Sequence, residues 1–183
     1  MKKKKIDFES EFWDGDTKHS CLTLIDAFYR MDDLVAVKER LCDVINYSTQ
    51  PKVLMKDDPS LIFHFHLCIR SFIRASYLIQ FKSEKWKLND PPEYKSLLLQ
   101  GFLSDAEYRN PFLVFQKAFK EFSLKEFEYF ITEIVYFSLA NSYDKPADSN
   151  AAHFIHLIKI LDAAQIIRER GVKKIKTGNN EKE

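Results

Sequence analysis

Four glycines and six prolines are the only strong breakers in a chain of 183 residues. A β-sandwich or barrel of that length turns about every 8–12 residues and spends Gly and Pro on its turns. A chain this poor in both is driven toward long helices. The apolar spacing agrees. In CLTLIDAFYRM, residues 21–31, Cys21, Leu24, Ile25, Phe28 and Met31 recur at three and four and share one helical face. In the following DDLVAVKERLCDVINYS, Leu34, Val37, Leu41, Ile45 and Ser48 do the same. After a break at TQPKVLMKDDP, Asp58 is placed to cap a helix that opens on Pro59 and runs to about Phe81. Proline suits a first helical position because its missing N–H has no partner there anyway.

The second half of the chain follows the same order. RNPFLVFQKAFKEF predicts a helix over 109–122, and SLKEFEYFITEIVYFS a helix over 123–138. Ser123 and Glu126 form the S-x-x-E pattern in which each side chain satisfies a backbone N–H at the other residue. NAAHFIHLIKILDAAQIIRER predicts a last helix, stopped at Gly171 with Arg168 and Arg170 in its final turn. Superposed at offsets of 91, 90 and 88, the three helices of each half match Ala27 with Ala118, Phe28 with Phe119, Leu34 with Leu124, Ser48 with Ser138, Ala75 with Ala163 and Ile79 with Ile167. The drift in offset falls in loops, where insertions are tolerated.

The fold expected is therefore all-α: a helical bundle of two tandem three-helix repeats related by a pseudo-two-fold. The boundaries are a flexible basic N-terminus (1–10), repeat 1 (11–83), a connector (84–101) broken by Pro91 and Pro92, repeat 2 (102–171) and a flexible tail (172–183). Each repeat alone leaves an apolar face open, so the two are expected to share one core as a single domain.

Several function classes are disfavoured by composition and motif. A formal net charge of +1 is too balanced for nucleic-acid binding by bulk charge. Three cysteines, Cys21, Cys42 and Cys68, form no CxxC and suggest a reducing, cytoplasmic setting. The N-terminus turns acidic where a secretory signal needs an apolar stretch. The most apolar segment, DPSLIFHFHLCIRSFIRASYLIQF, carries Arg70 and Arg74, which argues against a membrane span. No phosphate-binding glycine loop and no G-x-S-x-G elbow occurs. No enzyme and no cofactor are expected.

Three sets of residues remain. His64 with Cys68, and His153 with His156, are helical neighbours and weak metal candidates, zinc needing three or four such ligands together. Tyr129, Phe130, Tyr136 and Phe137 make the second half rich in aromatic surface and point to binding of a protein partner or a second copy. Arg70, Arg74, Lys82 and Lys85 form a basic end to the long helix, interleaved with Tyr77, Phe81 and Trp86, which suits single-stranded nucleic acid. The expected function is a non-catalytic scaffold or adaptor, with a nucleic-acid-associated regulator as the alternative.

Overall fold

A computed structural model describes residues 6–15, 19–49, 58–91, 102–140 and 150–175. The chain is mostly helical. After a 3-10 turn at Ser10–Phe12 come α1 (Cys21–Met31), α2 (Leu34–Thr49) and α3 (Pro59–Ile79), then β1 (Trp86–Leu88). The second half holds α4 (Asp105–Arg109), α5 (Phe112–Glu121), α6 (Leu124–Leu139), α7 (Asn150–Arg170) and β2 (Val172–Lys174). Helices of 11, 16 and 21 residues are thus followed, after α4, by helices of 10, 16 and 21.

The helix starts are set by side-chain caps, of which the sequence reading expected those at Asp58 and Ser123. The Asp58 carboxylate accepts from Ser60 N–H at 2.8 Å with Pro59 in the first turn. Ser123 and Glu126 close a reciprocal capping box, as do Ser20 with Thr23 and Ser104 with Glu107. At the far end Gly171 has φ of +69°, the left-handed conformation that lets a chain leave a helix without a Cβ clash.

α1 packs on α3, and α5 packs on α7. α2 and α6 lie against each other, and α1 reaches α7 as α5 reaches α3. One hydrophobic cluster runs through both halves, from Leu24, Leu41 and Phe72 to Phe115, Phe127 and Leu161. The middle and end of α7 are deeply enclosed: Leu157, Ile158, Ile160, Leu161, Ala163, Ala164, Ile166 and Ile167 are all buried, so this stretch is covered on most sides.

Two segments upstream of the helix pairs strap the long helices. Trp13 donates its indole N–H to Ser71 Oγ at 2.9 Å, and that hydroxyl donates to the Phe8 carbonyl, fixing the 3-10 turn on α3. α4 is held to α7 by Glu107, which accepts from Lys159 at 3.1 Å and from Lys117 at 2.9 Å.

The structure differs from the sequence reading at the connector and the tail. Trp86–Leu88 pairs antiparallel with Val172–Lys174, Lys87 lying opposite Lys173. Three-residue strands are too short to show an alternating pattern, and their pairing depends on a contact some 85 residues away in sequence, supplied only once α7 has brought the tail back. Lys2 to Lys5, a possible connector helix at 93–100 and the tail beyond 175 lie outside the described residues.

Candidate functional site

The histidines and cysteine of α3 separate by helical angle. His66 is the buried one: its Nε2 lies 3.3 Å from Thr132 Oγ1 on α6. Burial, with the Arg70 charge, pulls its imidazole down to about 4, so it is neutral at pH 7. His64 is on the exposed side, 3.8 Å from Cys68 Sγ. Both line a cleft against the α1–α2 turn. His153 and His156 lie instead against the α5–α6 turn. His153 lies over Phe122 with ring centroids 3.9 Å apart and stacks on Phe130 at 5.4 Å, and His156 meets the Glu121 carboxylate at 2.9 Å. The four candidates therefore do not converge, and among the described residues no group of three or more His, Cys, Asp or Glu is arranged to hold a metal.

The cysteines are not activated. Burial pushes the Cys68 thiol up to about 12, and burial likewise raises Cys21 and Cys42. A thiol becomes a nucleophile by the opposite shift.

Of the four aromatic residues singled out on α6, two face solvent. Tyr129 is 68 % exposed and Tyr136 62 %, whereas Phe130 is 1 % exposed and Phe137 half-buried. Adjacent helical positions are about 100° apart, so Tyr129 and Phe130 cannot share a face; Phe130 turns inward onto His153. Tyr129, Thr132, Tyr136 and Leu139, all exposed, instead form a stripe at spacings of three and four. α3 runs antiparallel to α6, since His66 meets Thr132 while Arg74 meets Glu128. Phe63 of α3 is exposed as well, at 54 %.

The basic set is divided too. Arg74 binds the Glu9 carboxylate at 2.6 Å, the Glu128 carboxylate at 2.5 Å and the Asp7 carbonyl at 3.0 Å. Arg70 faces Glu9 at 3.5 Å. Arg74 holds both the N-terminal strap and α6 to α3, while Arg70 makes, among the described residues, only the long contact to the strap. Lys82 sits over the Trp86 ring, 5.7 Å from its centroid. Lys85, Lys87, Lys173 and Lys174 are exposed around the β1–β2 ribbon. The tail lysines of that ribbon escape a reading confined to α3, because only the strand pairing brings them beside Lys85.

The sequence reading also missed two buried acids. Glu107 is enclosed between α4, α5 and α7. Burial raises its pKa, but the Ser104 N–H and the Lys117 and Lys159 ammoniums outweigh that and bring it down to about 2. Asp162 is 0 % exposed at the centre of α7, paired with Lys38 of α2 through Oδ1. Burial raises its carboxyl against the opposing pull of Lys38.

Comparison with family models, with curated proteins and with solved structures finds no match to this chain. Among the described residues no helix is long and apolar enough to cross a membrane.

Proposed function

We propose that the chain is a non-catalytic helical scaffold that pairs with a second copy of itself through the outward face of α6. The observation that carries this is the exposure of Tyr129 and Tyr136, seven residues apart on one stripe, at 68 % and 62 %. Aromatic rings are enriched at protein interfaces and costly to leave in water. A stripe spaced three and four is the pattern a helix presents to another helix. Two copies of α6 crossing antiparallel about Thr132 and Glu133 set each Tyr129 opposite the Tyr136 of the other copy, so one surface serves both partners. A net charge of +1 adds little repulsion between copies. The test is mass in solution across a concentration series by sedimentation. The wild type is expected to move toward twice the chain mass as concentration rises. Tyr129→Glu with Tyr136→Glu is expected to hold it at the chain mass with helix content unchanged. A wild type that stays at the chain mass throughout overturns the proposal.

The two halves are proposed to be one three-helix unit used twice. Equivalent positions support this beyond the matched helix lengths. Ser48 and Ser138 are both buried, and each hydroxyl donates to the carbonyl three residues back, Ile45 at 2.7 Å and Val135 at 2.8 Å. Asp33 caps α2 through Ala36 N–H as Ser123 caps α6 through Glu126 N–H. The Lys38–Asp162 pair joins α2 to α7 at the positions where Glu128–Arg74 joins α6 to α3, with the charges reversed.

A second reading keeps nucleic acid as the partner, moved from Arg70 and Arg74 to the ribbon. Lys87 and Lys173 are directly opposed there, and like charges in register weaken strand pairing unless an anion lies between them. A two-stranded ribbon also fits the major groove of a duplex. Single- and double-stranded oligonucleotides titrated at two salt concentrations test it, with Lys87→Ala and Lys173→Ala expected to reduce both affinity and salt dependence. Absence of a salt-dependent shift overturns it.

A further inference from the structure

The cleft between α1, α2 and the start of α3 has a volume of about 190 Å³. At its counterpart in the second half aromatic rings are in contact with one another. At the equivalent positions Met31 gives way to Phe122, Val37 to Phe127 and Arg40 to Phe130, while Phe65 and Cys68 give way to His153 and His156. Those second-half side chains stack on one another: Phe122 and His153 lie 3.9 Å apart and Phe122 and Phe127 5.9 Å apart, with His153 on Phe130 at 5.4 Å. At Met31, Val37 and Arg40 the first half thus carries smaller or linear side chains where the second places rings, while Phe65 is itself a ring matched with His153 in the correspondence. An apolar cavity of about 150 Å³ holds one benzene-sized ring.

The lining beside that space is not neutral hydrocarbon throughout. Arg40 Nη2 lies 3.4 Å from Asp32 Oδ2, a long contact that leaves donors on the guanidinium unused. Arg40 Nε is buried with no hydrogen-bond partner among the described residues. Such a donor costs free energy unless an acceptor reaches it. The polar groups around the cleft are Arg40, short of an acceptor, Asp32 beside it, and the His64 imidazole with the Cys68 thiol, and its apolar walls are Phe28, Met31, Val37, Leu61 and Phe65.

We propose that this cleft binds a small zwitterion carrying one aromatic ring, an aromatic α-amino acid being the simplest member. The ring takes the volume that Phe122 and its neighbours fill in the other half. The carboxylate accepts from Arg40, and the ammonium donates to Asp32. The site rests on the correspondence between halves proposed above, and is independent of pairing through α6.

The test titrates L-phenylalanine into the full chain and follows the Met31 and Leu61 methyl resonances. Saturable shifts of both are expected. Phenylacetate and phenethylamine, each with half of the head group, are expected to bind at least tenfold more weakly. Arg40→Met is expected to weaken phenylalanine at least tenfold. Met31→Phe, which copies the second half, is expected to abolish the Leu61 shift and raise the melting temperature. If Met31→Phe does not fold, Arg40→Met and the two half-ligands decide. No saturable shift up to the solubility of phenylalanine overturns the site, as does phenethylamine binding as tightly as phenylalanine. A higher melting temperature in Met31→Phe, with no binding by the wild type, overturns the site and leaves the correspondence standing.

Discussion

Glu107 concentrates much of the chain's buried electrostatics in one side chain. It closes the α4 capping box, pairs with Lys117 and Lys159, and is nearly sealed from water. Its folded pKa of about 2 lies below the ordinary 4.5. A carboxylate shifted down stabilises the fold above its unfolded pKa, and that contribution drains as pH falls through the folded value. Glu107→Gln is therefore expected to cost about 2 kcal/mol at pH 7, the scale of a hydrogen bond to a charged group. The gap from wild type should close between pH 4.5 and about pH 2. Urea unfolding at several pH values measures both. A gap that stays constant over that range would mean the carboxylate charge contributes nothing. The Ser104 cap follows a local S-x-x-E pattern, but the ion pairs were not legible, because the two lysines that enclose Glu107 lie 10 and 52 residues away.

At the scale of elements the sequence was far more readable. The starts of α1, α2, α3 and α6 fall within a residue or two of where spacing and caps put them, and α7 ends at Gly171 as expected. Each of these signals is local: a cap, a proline, a run at three and four. The two strands were not readable, since three residues carry no period and pair only with a partner distant in sequence, and α4 was missed although its S-x-x-E cap is local. The aromatic set on α6 was half legible. Tyr129 and Tyr136 are exposed, but burial of Phe130 depends on α7 crossing that face. The same helices carry a sharper test in the reversed ion pairs. Lys38→Glu alone sets two acids together in the interior beside Asp162 and should destabilise by about 3 kcal/mol or more. Adding Asp162→Arg reproduces the Glu128–Arg74 arrangement and should recover at least half of that loss. A double-mutant cycle by thermal or urea unfolding reads the coupling. Simple additivity would count against equivalent halves.

At the scale of the whole molecule, each half depends on the other for its charges and its core. Arg74 finds Glu128, Lys38 finds Asp162, and the buried Tyr29 hydroxyl donates to the Leu161 carbonyl at 2.7 Å. All three contacts cross from the first half to the second. A half on its own would leave a charged group facing an open apolar surface. Fragments 1–95 and 96–183 are therefore expected to be largely unfolded when separate and to regain helix on mixing, as read by circular dichroism. Fragments that are fully helical alone would show two independent units instead.

The ribbon of Trp86–Leu88 and Val172–Lys174 has a mechanical consequence. It joins the chain just after α3 to the chain just after α7, with Asn89 and Arg170 bonding across it: the Asn89 amide donates to the Arg170 carbonyl at 2.5 Å, and Arg170 Nε donates to the Asn89 carbonyl at 2.7 Å. Tension applied at the C-terminus reaches the Ile175 end first, where Ile175 N–H holds the Lys85 carbonyl, and peels the strands one pair at a time. Peeling breaks bonds in series and gives way at low force. The ribbon would therefore release as a fuse, yielding before the pull reaches α7 and the interior it occupies.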